Sequence, residues 1–270
     1  MRKLEFEKRS AIELDAYRMR GAQEQDYLEL ISEDADLYEG GKLLANYRVM
    51  DWDTTDVVAA LRKMKYDTDV RVGGMPATFK TIGWMGRSTL RRDYCTATKL
   101  AREYPAEHNL VCRQIERICG VYKANNPELY AKHLEQAEKV LPEYRLYGTP
   151  FTSGIINHNS PLKYHFDGGN FKGAWSCMMG FKGLVKGGHL ALPEFGLGFE
   201  IADNSLFCFD GQGILHGVTP ITYLAETSYR FTVVFYSLVN MWSCQPLELE
   251  LDRIRKRKTN IERKRAGVVK

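Results

Sequence analysis

Apolar positions after residue 146 come in short runs, at 175–181, 187–193, 198–201, 205–209 and 229–236, each closed by Gly, Pro, Asn or Asp. Short strands at this spacing read as a sandwich or barrel. In 229–236, period-2 geometry puts Arg230, Thr232, Val234 and Tyr236 on one face and Tyr229, Phe231, Val233 and Phe235 on the other. Upstream the period is closer to 3.6. Val57, Val58, Leu61 and Met64 recur at helical spacing in 54–66, and Leu110, Cys112, Ile115, Ile118 and Val121 do so in 105–122. Asn126-Pro127-Glu128 offers an N-cap, a first-turn proline and an acid beside the helix dipole, so 127–141 is the firmest helix. The pattern predicts an α+β chain: a helical and loop-rich part over 1–145, a β core over 146–242, and no Ser/Pro/Gly-rich linker between them.

With 44% apolar residues in 270, the chain has enough apolar material for one sizeable core. No apolar run approaches the roughly 18 residues of a membrane span, and the N-terminus lacks a signal-peptide apolar region, so the sequence points to an intracellular protein with no membrane association. Cys95, Cys112, Cys119, Cys177, Cys208 and Cys244 are dispersed, without C-x-x-C or zinc-ligand spacing, and read mostly as small core residues.

Charge is uneven. From Asp252 to Lys270 there are nine Lys/Arg against two Asp/Glu, whereas the rest of the chain holds 29 basic and 32 acidic residues. This basic tail, 251–270, reads as a nucleic-acid-binding arm, with a solubilising or targeting segment as the alternative. Residues 24–39 carry seven acids and no base, a face expected to point away from a duplex. The stretch 72–94 is rich in Gly, aromatics and Arg and reads as a loop in which Lys80, Trp84, Arg87, Arg91 and Arg92 can meet a phosphate backbone or a carboxylate, with Arg92 favoured; a solvated loop is the alternative.

The chemistry concentrates in His165-x-Asp167, followed 49 residues later by His216 and 14 after that by Arg230. Residues two apart on an extended chain point the same way, so His165 and Asp167 can aim at one ion; two His and a carboxylate on one octahedral face suit a non-haem Fe(II) oxygenase. A lone Arg230 facing a barrel interior needs an anionic partner, and a dicarboxylate cosubstrate supplies one, with Thr232 adding a hydrogen bond. The alternative places Tyr229 inward and Arg230 in solvent. Of the other histidines, His158 reads as a strand-end hydrogen-bonding residue, His189 as a strand-surface or pocket neighbour, and His133 as a packing or surface residue of its helix.

The order His165-x-Asp167, His216, Arg230-x-Thr232 resembles the Fe(II)/2-oxoglutarate-dependent dioxygenases of the double-stranded β-helix (jelly-roll) fold. Gly187-Gly188-His189-Leu190-Ala191-Leu192-Pro193-Glu194-Phe195-Gly196 and Phe209-Asp210-Gly211-Gln212-Gly213-Ile214-Leu215-His216-Gly217-Val218-Thr219-Pro220 are similar to the branch containing the TET 5-methylcytosine oxidases and the J-binding-protein thymine hydroxylases, in a compact size like that of bacteriophage forms. The resemblance covers 146–242 well and the first 145 residues loosely. It implies a single dioxygenase domain over 1–250, in a prokaryotic host's cytoplasm, with no obligate protein partner. It also implies Fe(II) held by His165, Asp167 and His216 as the catalytic centre, and 2-oxoglutarate held by Arg230 and Thr232. O2 and DNA carrying a 5-methylpyrimidine are the further partners, the base being flipped into the site. Asn170 falls where that branch places an Asn on the target base, and Tyr236 where it places a stacking aromatic. Leu238 departs from the branch, which has a base-contacting His there. The implied reaction is hydroxylation of 5-methylcytosine to 5-hydroxymethylcytosine. Thymine hydroxylation and a catalytically silent DNA-binding protein on the same scaffold are the alternatives.

Overall fold

The structure, a computed structural model, describes residues 1–18, 20–70, 76–88 and 92–265. Two sheets carry it. The larger runs in spatial order Arg2–Phe6, Ala35–Glu39, Lys42–Val49, Ser205–Phe209, Ser176–Gly183, Tyr229–Tyr236, Ser153–His158, Pro76–Met85 and Asp67–Val70. The smaller runs Glu29–Ile31, Leu197–Phe199, Leu190–Leu192, His216–Val218 and Leu162–His165. In the second half of the chain the path crosses repeatedly between the two sheets, which brings the ends of distant segments together over one interior.

The central strands show why this holds. Phe231, Val233 and Phe235 join Cys177, Met179, Phe181 and Ile156 on the outer face of the large sheet, where Val57 and Leu61 of the Thr55–Lys63 helix and Ile115, Ile118 and Tyr122 of the Gln114–Asn125 helix cover them. On the inner side, Met178, Phe207 and Phe209 meet Leu190, Leu192, Leu197 and Phe199 of the small sheet. The helix expected at 105–122 is two, Pro105–Cys112 and Gln114–Asn125, broken at Arg113, and the buried stripe runs Val111, Ile115, Ile118, Tyr122. The helix expected at 127–141 spans Pro127–Ala137; the Asn126 side chain caps it by accepting from the Leu129 N–H at 3.2 Å. Pro142 disfavours helical backbone at the residue before it.

The first 145 residues are less helical and loop-rich than their sequence suggests. Lys42–Val49 is buried continuously from Leu44 to Arg48, so it carries no alternation to read. Its buried Arg48 is neutralised by Asp36 at 2.6 Å. Pro76–Met85, expected as part of a loop, is a strand paired with Ser153–His158. Within it Lys80 is buried and bonded to Asp67 at 3.0 Å, and Trp84 packs edge-on to Tyr144, so neither is available to a phosphate. Arg87 pairs with Glu250, and Arg91 lies outside the described residues. The acidic run 24–39 is partly internal, since Asp26, Asp36 and Glu39 answer Arg20, Arg48 and Arg9. Four cysteines are buried and free, as expected; Cys95 and Cys244 instead form a disulfide across a separation of 149 residues. The basic tail is not a separate coil: the Leu247–Arg265 helix runs into it. Among the described residues no helix is long and apolar enough to cross a membrane.

Candidate metal centre and cosubstrate pocket

His165 closes its strand and His216 opens the neighbouring one, and the two are paired across the small sheet. Their rings stand 4.4 Å apart between centroids. Each Nδ1 faces a backbone carbonyl, Lys163 O at 2.7 Å for His165 and Ile214 O at 2.9 Å for His216. A carbonyl only accepts, so each Nδ1 carries the ring proton and each Nε2 presents a lone pair. Both Nε2 atoms lie 3.7 Å from Asp167 Oδ1. The three donor atoms lie within 4.8 Å of one another, a set able to hold one metal ion.

Neighbouring backbone fixes this face. The Asp167 N–H donates to Gly211 O at 2.8 Å, and a Cβ at Gly211 would sit 2.2 Å from Asp167 Oδ2. Only glycine leaves room for the carboxylate there. Asp167 Oδ2, the oxygen turned away from the histidines, receives long hydrogen bonds from Ser176 Oγ at 3.4 Å and Asn170 Nδ2 at 3.5 Å; Asn170 Nδ2 also donates to Ser176 Oγ at 3.1 Å. The loop before His216 is gripped from the N-terminus. Arg9 Nη1 donates to Gly213 O at 2.6 Å, while Glu194 Oε2 accepts from the Leu215 N–H at 2.9 Å. Arg9 is itself held by Glu39 at 2.8 Å, which keeps the Glu39 carboxyl down at about 2.

A cavity of about 200 Å³ opens beside the histidines. The structure brings His165, Asp167, His216, Arg230, Thr232, Asn170 and Tyr236 to its wall, with Leu162, Met178, Leu190 and Val218 supplying apolar surface. Arg230 therefore faces inward. It is 1% exposed; Nη2 donates to Gly188 O at 2.7 Å, while the buried Nε has no hydrogen-bond partner. Among the described residues no carboxylate pairs with it, and burial pushes the guanidinium down to about 10. Gly188, at φ +68°, allows this packing, since a Cβ there would lie 2.5 Å from Arg230 Nε. Thr232 Oγ1 accepts from Asn157 Nδ2 at 3.1 Å, which leaves its own hydroxyl proton to be donated into the cavity. A desolvated guanidinium with an unmade bond, beside a hydroxyl donor, fits a bound carboxylate.

Arg92 is not brought to this cavity. It lines a smaller one, of about 100 Å³, on the other side of Tyr236 and Leu238, and its Nε donates to Gly86 O at 3.2 Å. The remaining four histidines also stand apart, His108 accepting from the Gly83 N–H at 3.0 Å. His158 ends its strand, stacked on Tyr66 and Phe231; His189 bonds the Tyr27 hydroxyl at 2.7 Å; His133 is buried against Ser237 Oγ at 2.8 Å. Sequence reasoning missed Ser176, Gly211, Arg9 and Glu194. Only Gly211 left a local sign, in the glycine-rich turn ahead of His216.

Residues 83–238 match the Tet/JBP family model, described as the oxygenase domain of the 2OGFeDO superfamily. Among curated relatives, thymine dioxygenase JBP1 of Leishmania infantum is 26% identical over 182 residues, covering 67% of this chain and 21% of that protein. The enzyme of the same name from Trypanosoma brucei brucei is 26% identical over 145 residues, covering 53% of this chain and 17% of that protein. The chain thus spans about a fifth of the length of the curated relatives it matches. Among solved structures, NgTET1 in complex with 5mC DNA superposes with a TM-score of 0.59 at 13% identity, covering 85% of this chain and 88% of the other, a likeness of fold. The two facing sheets are those of a double-stranded β-helix.

Proposed function

We propose, for a chain that belongs to the Tet/JBP oxygenase family of the 2OGFeDO superfamily, whose members use Fe(II) and 2-oxoglutarate, that it hydroxylates the methyl group of 5-methylcytosine in DNA. The observation that carries the reading is the buried Arg230, paired with no carboxylate among the described residues, lining the same cavity as the His165, Asp167 and His216 donor set. A metal triad alone suits many chemistries, but an anion socket across the cavity from it suits a cosubstrate bound at both ends.

In this reading the two Nε2 atoms and Asp167 Oδ1 hold Fe(II), while Arg230 and Thr232 take the distal carboxylate of 2-oxoglutarate. Bound there, the metal and cosubstrate supply the O2 activation that hydroxylates an unactivated C–H bond as 2-oxoglutarate is decarboxylated to succinate. Leu162, Met178, Leu190 and Val218 keep that volume dry. Tyr236 stacks on the incoming pyrimidine and Asn170 reads its polar edge. A methyl inside a duplex cannot reach a metal held within this cavity, so the base leaves the stack.

Thymine is the second reading. The curated relatives carry the name thymine dioxygenase, and the cavity position 238 is a leucine, which offers no hydrogen bond to an exocyclic amine. Incubating the protein with Fe(II), 2-oxoglutarate and duplexes containing either 5-methylcytosine or only unmethylated bases, followed by mass spectrometry of nucleosides, tests both. The expected result is 5-hydroxymethylcytosine with equimolar succinate, abolished in His165→Ala, Asp167→Ala and His216→Ala. 5-Hydroxymethyluracil from both duplexes, with no 5-hydroxymethylcytosine, moves the substrate to thymine. No oxidised nucleoside and no DNA-stimulated succinate from either duplex overturns the function.

A further inference from the structure

Among the described residues the Leu247–Arg265 helix is held to the body through its first three turns, as far as Arg257. Glu250, fully buried, accepts from Arg87 Nη2 at 2.6 Å, from the Cys95 N–H at 3.1 Å and from the Gln245 N–H at 2.9 Å. The Cys95–Cys244 disulfide ties the same two segments covalently. One and two turns on, Arg253 donates to Asp93 O at 2.9 Å and Arg257 pairs with Asp93 Oδ1 at 2.8 Å. These anchors share one helix face.

The second half of the helix is open to solvent. Every residue from Arg255 to Lys264 is exposed, and that span holds Arg255, Lys256, Arg257, Lys258, Arg263 and Lys264 against Glu262 alone. Lys256 and Arg263, seven residues apart, share a helix face that flanks the one carrying Glu250, Arg253 and Arg257, and among the described residues neither makes an ion pair. A half-helix with no buried apolar face and closely spaced like charges is not held by its own packing; a polyanion along it removes the repulsion.

The anchor also gives the helix a fixed relation to the cavity. Asn240 Nδ2 donates to Arg87 O at 2.8 Å, and Gly86, Arg92 and Asn240 line the small cavity whose other wall is Tyr236 and Leu238. Tyr236 and Leu238 in turn line the reaction cavity. A continuous set of contacts therefore runs from the proposed base-stacking residue to the buried foot of a basic helix.

We propose that the Leu247–Arg265 helix is a rigid arm that grips the phosphate backbone of DNA flanking the base in the cavity, in a register set by the Glu250 anchor. At about 1.5 Å per residue its 19 residues extend about 28 Å, the length of roughly eight base steps at about 3.4 Å each. The inference rests on the DNA reading above and adds which surface holds the flanking strand.

The test compares the full chain with a Lys256→Gln/Arg263→Gln variant. Binding to a 30-base-pair duplex carrying the target base is measured across salt concentration, and oxidation is measured on that duplex and on a trinucleotide too short to reach the arm. The variant is expected to bind the duplex more weakly, with the log–log salt slope reduced in magnitude by about 1.8 for two lost phosphate contacts, and to oxidise the trinucleotide at the wild-type rate. Glu250→Ala, which frees the foot without removing a positive charge, is expected to keep the slope and lose oxidation on the duplex relative to the trinucleotide. An unchanged slope in the double variant overturns the arm, as does weakened binding to phosphatidylserine vesicles with none to DNA. Oxidation of DNA by wild type with an unchanged variant slope removes the arm and leaves the enzyme; an arm-dependent slope with no oxidation of any DNA removes the enzyme and leaves the arm.

Discussion

Replacing Arg230 with methionine separates an anion socket from a structural arginine, because the two predict opposite effects on the ligand-free protein. The guanidinium is charged in both folded and unfolded chains at neutral pH, so its burial cost is fully present there. Depression from its ordinary 12.5 to about 10 corresponds to about 3 kcal/mol. Arg230→Met removes that cost and forfeits the bond to Gly188 O, worth about 1 kcal/mol, so the ligand-free variant is expected to be about 2 kcal/mol more stable than wild type. With ligand the order reverses. Anaerobic Fe(II) and 2-oxoglutarate at about 100 times its dissociation constant stabilise wild type by about 2.7 kcal/mol. Loss of a charge-assisted bidentate contact worth about 3 kcal/mol weakens binding roughly 140-fold, which leaves the variant about 0.3 kcal/mol at the same concentration. Urea denaturation of both proteins, with and without ligand, reads all four values. A variant that keeps the full ligand-induced increment places the carboxylate elsewhere. One that loses several kcal/mol without ligand shows that Arg230 is there for the fold.

Burial pushes His133 down to about 3, so the unfolded chain binds an extra proton between its ordinary 6.5 and that value, and stability falls as pH is lowered through this window. The loss amounts to about 2 kcal/mol at pH 5, and His133→Phe is expected to remove that much of the difference between denaturation at pH 7 and pH 5; an unaltered difference refutes it. Gly211→Ala drives a methyl onto Asp167 Oδ2 and is expected to weaken Fe(II) or Co(II) binding about 10–100-fold with little change in melting temperature, so unchanged metal affinity refutes the tight fit. Asn170→Ala is expected to weaken metal binding about tenfold as well as base oxidation, because its amide reaches Asp167 and Ser176, whereas Tyr236→Ala is expected to spare the metal and to cost about 1–3 kcal/mol on the base. Equal metal affinity in both variants makes Asn170 solely a base reader.

The parts of this fold legible in the sequence are those in which neighbours in the chain face different surroundings. The 229–236 strand alternates between a helix-covered apolar face and a cavity face, so its pattern gave its bounds and its two faces, while the choice of Arg230 as the inward one needed His165, Asp167 and His216 beside it. His165 and Asp167 follow the same logic two residues apart. Lys42–Val49 has no such contrast, because Leu44 to Arg48 are buried on both sides, and a buried arginine and asparagine in it mimic a polar surface. Lys80 misleads likewise: a lysine in a Gly-rich stretch reads as a loop cation open to a phosphate until its partner Asp67 is placed across the hairpin.

The supports of the metal face were hidden for a different reason. Ile214 O, which sets the His216 tautomer, sits between Gly213 and Leu215, and those two are held by Arg9 and Glu194. Arg9 is 204 residues from Gly213, and its sequence neighbourhood, Lys8-Arg9-Ser10, looks like any solvated basic terminus. A charge carries no periodicity that distinguishes a surface residue from one clamping a catalytic loop; only its partner does. Residues 83–238 contain the donor set and the anion socket, yet the peptide that aims His216 is fixed from residues 9 and 39, outside that span. The reaction centre therefore depends on the N-terminal strands as well as on the segment that carries its ligands.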